Sequence, residues 1–135
     1  MDKKFTISFV VIFVLSMLIG IVNHGMVLSE EYQATGLFRP DAEAEAYFMW
    51  MLLAHILMSF AFVWIYRRGR EDKPWVSQGI RFGVIIALLT AAPIYMIYYA
   101  VQPMDGLLVF RQIAYDTVGL IFMGLTVAFL YRKAA

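Results

Sequence analysis

The chain of 135 residues contains no cysteine and few charged residues. The absence of cysteine excludes disulfide-exchange chemistry, thiolate metal sites and covalent attachment of haem through a cysteine pair. Charged residues make up 16% of the chain, whereas a soluble domain usually has about 25%. A Walker-type glycine loop, an HExxH motif and a Ser–His–Asp spacing are also missing. The sequence therefore identifies no catalytic residue, and its few basic residues indicate no nucleic-acid binding.

Apolar residues are abundant instead: 62% of the chain is hydrophobic, and the mean hydropathy is +0.73. A soluble domain is usually about 45–50% apolar, and a helix needs about 20 apolar residues to cross a bilayer. Helices of that kind are predicted at about 5–28, 44–67, 75–101 and 107–131, which fill nearly the whole chain. We therefore predict a single membrane domain over residues 1–135, an all-α integral membrane antiparallel four-helix bundle in contact with the lipid bilayer.

The basic residues are sorted to one side of these predicted helices. Only Arg39 and Arg111 flank the other side. Cytoplasmic loops of membrane proteins carry the excess of Lys and Arg. This bias predicts a multi-pass protein of the inner (cytoplasmic) membrane with both termini in the cytoplasm. The nine residues on the predicted cytoplasmic side are Lys3, Lys4, Arg67, Arg68, Arg70, Lys73, Arg81, Arg132 and Lys133.

Several ionisable residues fall at membrane depth, where an unpaired charge is costly. At 1.5 Å per residue from the basic ends, His55 lies about 18 Å and Asp116 about 24 Å into the membrane, with His24 and Arg111 near 30 Å. Asp116 needs a partner. Arg111 is five residues away on the same helix and points elsewhere, so His55 is the best match. The hydroxyls of Tyr95 and Tyr98 on the third predicted helix are further candidates. We predict a polar cluster of His24, His55, Tyr95, Arg111 and Asp116. The favoured interpretation is a buried structural pair of His55 and Asp116, and the alternative is a proton-responsive or ligand-binding site.

His24 and His55 also raise the question of haem, because two histidines on facing helices can ligate one iron. Their depths differ by about 12 Å on the straight-helix estimate, whereas ligation from two upright helices needs similar levels. We therefore expect no haem, no other cofactor and no metal site.

Small residues recur every four positions on the third predicted helix, at Gly79, Gly83, Ala87 and Ala91. Such a stripe lets two helix backbones approach closely. It serves either inside the bundle, which we favour, or between protomers. Pro93 removes a backbone hydrogen bond and is expected to bend this helix above its middle.

The first outer loop, predicted at about residues 29–40, is followed by an acidic helix start. A surface of this charge suits a basic partner, although a solvated helix start commonly has the same composition. The acidic residues, against Arg39 alone, are Glu30, Glu31, Asp41, Glu43 and Glu45.

Three short motifs stand out along the chain: Leu37-Phe38-Arg39-Pro40, Gly79-Ile80-Arg81-Phe82-Gly83 and Tyr99-Ala100-Val101-Gln102-Pro103. Together they resemble small uncharacterised bacterial four-helix membrane proteins. The resemblance covers most of the chain and implies no activity. The chain does not resemble the small multidrug exporters of similar size, because its first helix lacks their membrane-embedded glutamate.

Three functions are compatible with these features. The favoured one is a non-catalytic membrane protein, either an accessory subunit of a larger complex or a homo-oligomer, because reaction motifs are absent and the stripe and acidic loop suit partners. The alternative is a small transporter or channel that uses the Asp–His cluster. A membrane haem protein is the third and is disfavoured by the depths of the two histidines.

Overall fold

The computed structural model of the protein describes residues 2–132, and every regular element within that range is helical. Within these residues, four segments are long and apolar enough to cross a membrane, namely Lys3–Val27, Ala42–Gly69, Trp75–Val101 and Gly106–Tyr131. Their ends lie within two residues of the ranges expected from the sequence. Lys133, one of the predicted cytoplasmic residues, lies outside the described residues.

The first long segment consists of α1 (Lys3–Gly20) and a π-helix (Ile21–Val27). Asp2 caps α1 by accepting a hydrogen bond from the Phe5 amide at 2.8 Å. A short helix, α2 (Ser29–Thr35), follows where the sequence predicted only a loop. It ends at Gly36, whose φ of 67° is left-handed and therefore suits glycine.

The second long segment contains α3 (Asp41–Ala44), one 3₁₀ turn (Glu45–Tyr47) and α4 (Phe48–Gly69). The third is divided into α5 (Trp75–Leu89) and α6 (Ala91–Val101).

The division between α5 and α6 falls at Thr90, three residues before Pro93. Proline has no N–H for the carbonyl four residues back, and its ring crowds that carbonyl, so the helix breaks in the preceding turn. The Thr90 hydroxyl donates to the Ile86 carbonyl at 2.8 Å beside the break. The last helix is α7 (Gly106–Tyr131), and the preceding residue, Asp105, caps it by accepting hydrogen bonds from the Leu107 and Leu108 amides.

The small-residue stripe of α5 packs against α7, inside the chain. A methyl group added at Gly79 would lie 2.8 Å from the Leu125 Cα, and one at Gly83 would lie 2.6 Å from the Leu120 carbonyl oxygen. Both distances are too short for carbon. Ala87 and Ala91, which continue the stripe, are buried.

Two buried apolar clusters stabilise the bundle. The larger contains Phe5, Phe62, Tyr66 and Tyr131, and the smaller contains Leu28, Tyr32, Met104, Leu108 and Val109. Tyr95 packs against both, so the polar residues around it lie where the two clusters meet.

Contacts at one end of the bundle join the start of α1 to the ends of α4 and α7. Asp2 pairs with Arg67 at 2.8 Å. Arg70 donates to the Tyr131 carbonyl at 3.2 Å, and the Lys4 ammonium lies 5.2 Å from the centroid of the Tyr131 ring. Consequently α1 begins where α4 and α7 end.

Candidate functional site

Asp116 on α7 is the centre of a hydrogen-bonded network. Its Oδ1 accepts from His24 Nε2 at 3.1 Å and from Asn23 Nδ2 at 3.2 Å, both on the π-helix. Its Oδ2 accepts from the Tyr95 hydroxyl of α6 at 2.6 Å. The Asp116 side chain is only 20% exposed. Hydrogen-bond donors from two other helical segments therefore satisfy a largely buried carboxylate.

His24 connects Asp116 to Tyr32 of α2. Its Nδ1 lies 2.5 Å from the Tyr32 hydroxyl, to which Gln112 Nε2 also donates at 3.2 Å. Burial raises the pKa of Tyr32 to about 12, so the phenol keeps its proton at neutral pH. Since the Tyr32 hydroxyl accepts from Gln112, its own proton is assigned to the bond with His24 Nδ1. The neutral His24 ring then carries its proton on Nε2 and donates it to Asp116.

His24, rather than His55, is the hydrogen-bond partner of Asp116, which corrects the expected pairing. Depth did not discriminate, because the straight-helix estimate places His24 about 6 Å above Asp116 and His55 about 6 Å below it. The direction of the side chains does distinguish the two histidines. Side chains tilt toward the N-terminus of their own helix. Since α1 begins where α7 ends, His24 and Asp116 tilt toward each other.

His55 on α4 belongs to a second polar group. Its Nδ1 lies 3.0 Å from the Ser16 hydroxyl oxygen. Ser16 donates its own proton to the Phe13 carbonyl at 2.8 Å, so His55 Nδ1 is assigned as the donor to Ser16. This leaves Nε2 as an acceptor. Gly20 gives the ring space, because a Cβ there would lie 3.3 Å from Nε2.

Both polar groups border one cavity of about 330 Å³ between the helices. Four of the five residues in the predicted cluster line it, so the structure brings His55 and Asp116 to a shared space without a hydrogen bond between them. The lining residues are Ser16, Ile19, Gly20, His24, His55, Met58, Thr90, Ala91, Ile94, Tyr95, Tyr98, Asp116, Gly119, Leu120 and Met123.

Arg111, the fifth residue of the predicted cluster, does not line the cavity. Its guanidinium pairs with the Glu31 carboxylate of α2. This ion pair links α2 to α7 next to Tyr32, whose side chain is buried. Arg111 therefore holds the segment that covers the His24 side of the network.

The sequence did not identify Asn23, Tyr32 or Gln112 as parts of the network. Gln112 carried a usable signal, because it lies four residues before Asp116 and so shares its face of α7. Asn23 gave no signal, because adjacent residues on an α-helix, such as Asn23 and His24, do not face the same neighbour. Tyr32 carried no signal, since it stands in a segment that was expected to be a loop.

No metal site is found within residues 2–132, where no group of three or more His, Asp or Glu side chains is arranged to hold an ion. Both ring nitrogens of His24 already hydrogen-bond, to Tyr32 and Asp116. Haem ligation by His24 requires one of those bonds to break.

Comparison with known proteins gives no relative: no protein-family model, no curated protein and no solved structure matches the chain. The resemblance to small bacterial four-helix membrane proteins therefore stays a prediction that rests on its three short motifs. Any functional proposal has to rest on the site itself.

Proposed function

We propose that the four long helices cross the inner membrane as an antiparallel bundle, with both termini in the cytoplasm. Each segment has the length and apolarity required. The Asp2–Arg67 pair and the bond from Arg70 to Tyr131 support alternating helix directions, because they join the start of α1 to the ends of α4 and α7. Basic residues gather at this end, which supports its placement in the cytoplasm.

The proposed role of this bundle is that of a small transporter, whose intramembrane cavity binds a ligand beside a proton-binding Asp116. The observation that carries the proposal is the shared cavity, whose lining residues include Asp116, His24 and His55. Ionisable side chains within a membrane are costly and commonly mark ligand or proton pathways. A pocket with a few convergent polar groups is also where small molecules bind.

A partner-binding role, as an accessory subunit or a homo-oligomer, is the alternative proposal. The sequence features that favoured it are the small-residue stripe and the acidic outer loop, and both make contacts within the chain. The stripe that begins at Gly79 and Gly83 packs against α7. Glu31 of the acidic loop pairs with Arg111. The geometry therefore supports the transporter more directly.

The proposal requires Asp116 to take up and release a proton, which labelling by dicyclohexylcarbodiimide tests. This apolar reagent reacts with protonated carboxyl groups that are accessible from the membrane. The wild-type protein in lipid nanodiscs is incubated with it between about pH 5 and pH 8, and the modified residue is identified by peptide mass spectrometry. We expect labelling at Asp116 that increases as the pH falls, since the carboxyl is then protonated more often.

Two variants serve as controls for this experiment. Asp116→Asn should abolish the label. Asp105→Asn should leave it unchanged, because Asp105 is exposed and an asparagine oxygen can still cap α7. If Asp116 in the wild-type protein stays unlabelled across the whole pH range, it exchanges no proton that the reagent can detect, and the network is structural.

A further inference from the structure

The cavity presents hydrogen-bond acceptors from two sides. An ionised carboxylate has about four acceptor positions. Two donors reach Asp116 Oδ1, and one, the Tyr95 hydroxyl, reaches Oδ2. Oδ2 therefore retains an acceptor position, and Asp116 lines the cavity.

His55 supplies the second acceptor. Because its Nδ1 is assigned as the donor to Ser16, the lone pair of the neutral ring is on Nε2. Nε2 lies beside Gly20, and both residues line the cavity. Within residues 2–132, no lysine or arginine lines the cavity, so none of these residues offers a competing ammonium or guanidinium.

Most of the rest of the lining is apolar or aromatic, and the hydroxyls of Ser16 and Thr90, which also line the cavity, donate to backbone carbonyls. Ile19, Met58, Ile94, Leu120 and Met123 surround the space, and the phenol ring of Tyr98 is a further wall. Such walls favour a compact apolar body and exclude a strongly hydrated one. A ligand that satisfies the whole site therefore carries N–H donors at one end and hydrocarbon at the other.

We propose that the cavity binds a small hydrophobic ammonium ion, in which a primary or secondary amine donates to Asp116 Oδ2 and His55 Nε2. The inference rests on the proposed transporter function and names its ligand class. The positive charge is attracted to the Asp116 carboxylate, and the N–H groups fill the two acceptor positions. A bond of this kind to a charged group is stronger than one between neutral partners.

Three probes that share the phenylethyl group distinguish the sources of affinity: 2-phenylethylammonium, its N,N,N-trimethyl derivative and 2-phenylethanol. Binding to the protein in nanodiscs is measured by isothermal titration calorimetry, with empty nanodiscs as the baseline. We expect the primary ammonium to bind about tenfold or more tightly than either analogue, because only it has both the charge and the N–H donors. Equal binding of the trimethyl derivative contradicts the hydrogen-bonded geometry. Equal binding of the alcohol contradicts recognition of the charge.

The variants His55→Phe and Asp116→Asn each remove one proposed contact and should weaken phenylethylammonium binding, whereas Asp105→Asn should not. Circular dichroism establishes that each variant is folded. A measurement on the wild-type protein does not depend on the variants: phenylethylammonium should protect Asp116 from the carbodiimide. If the carbodiimide labels Asp116 but phenylethylammonium neither binds nor protects it, the proposed ligand class is wrong and the proposed proton-binding site still stands. Failure of Asp116 to label at all overturns the proposed function itself.

Discussion

Replacement of Asp116 by leucine removes the acceptor of three hydrogen bonds at once, those from His24, Asn23 and Tyr95. Hydrogen bonds between membrane helices average about 0.6 kcal/mol each, so the expected loss of stability is roughly 2 kcal/mol. His24→Leu removes the bonds to Asp116 and Tyr32 and should cost about 1 kcal/mol. Each single substitution leaves polar groups without their partner.

The double variant of His24 and Asp116 should be less damaged than the two single losses imply. Both substitutions remove the same 3.1 Å bond, which is lost only once in the double variant. We expect a coupling energy of about 0.6 kcal/mol. The matched control combines Asp116→Leu with His55→Leu. His55 hydrogen-bonds to Ser16 and shares only the cavity with Asp116, so this pair should couple more weakly than His24 and Asp116 do.

Both cycles are measured by reversible unfolding in mixed micelles, with the denaturing detergent titrated and helix content followed by circular dichroism. Additive losses for His24 and Asp116 refute the network described here. Coupling of that size between His55 and Asp116, in place of His24, restores the pairing expected from the sequence.

Four further outcomes are expected. Gly83→Ala should destabilise the α5–α7 contact by about 1–3 kcal/mol in the same unfolding titration. Gly25→Ala should not, because a methyl group added there meets nothing within 4 Å in the described part of the chain, and equal stability of the two variants contradicts the close packing. The hydrogen bond from Lys73, and after it the one from Arg81, lowers the pKa of Glu71 below its usual 4.5. Ionised Glu71 therefore contributes to the stability of the fold above pH 4.5, and this contribution is lost as the pH falls through the lower pKa of the folded state. Glu71→Gln should therefore be less stable than wild type at neutral pH and equal to it in strong acid, and a difference that persists in acid contradicts the assignment. A reporter fused to the C-terminus should be active only when it is a cytoplasmic type, and activity of a periplasm-dependent one reverses the topology. Native mass spectrometry from mild detergent should give a monomer, since the stripe is used within the chain; a stable oligomer favours the partner-binding alternative.

The long helices were predictable because they follow from hydropathy summed over many residues. A helix that can cross a membrane has about 20 apolar residues, so a few polar residues do not hide it, and the four segments accordingly lie close to their expected ranges. The interruption of the third long helix was predictable from the sequence, but its position at Thr90 was not. Pro93 dictates that the helix is interrupted, but the missing bond and the steric clash act in the turn before it.

The partners of Asp116 were harder to predict, because they depend on how each helix is rotated and on the direction in which its side chains tilt. Depth alone treats His24 and His55 as equivalent, whereas side-chain direction selects His24. Tyr32 was not predictable in this way. The short α2 has neither the length nor the apolarity that identifies a helix in sequence, yet it brings Tyr32 to the His24 ring.

The π-helix explains how neighbouring residues reach one oxygen. Asn23 and His24 both donate to Asp116 Oδ1, although adjacent residues on an α-helix do not face the same neighbour. A π-helix bonds i to i+5 and therefore has more residues per turn, which brings adjacent side chains closer in direction. Its backbone is less favourable than an α-helix, and such segments are frequent at functional sites. The irregular end of the first long segment is thus what allows one carboxylate to collect two donors from a single helical turn. It also leaves Oδ2 to Tyr95 and the cavity.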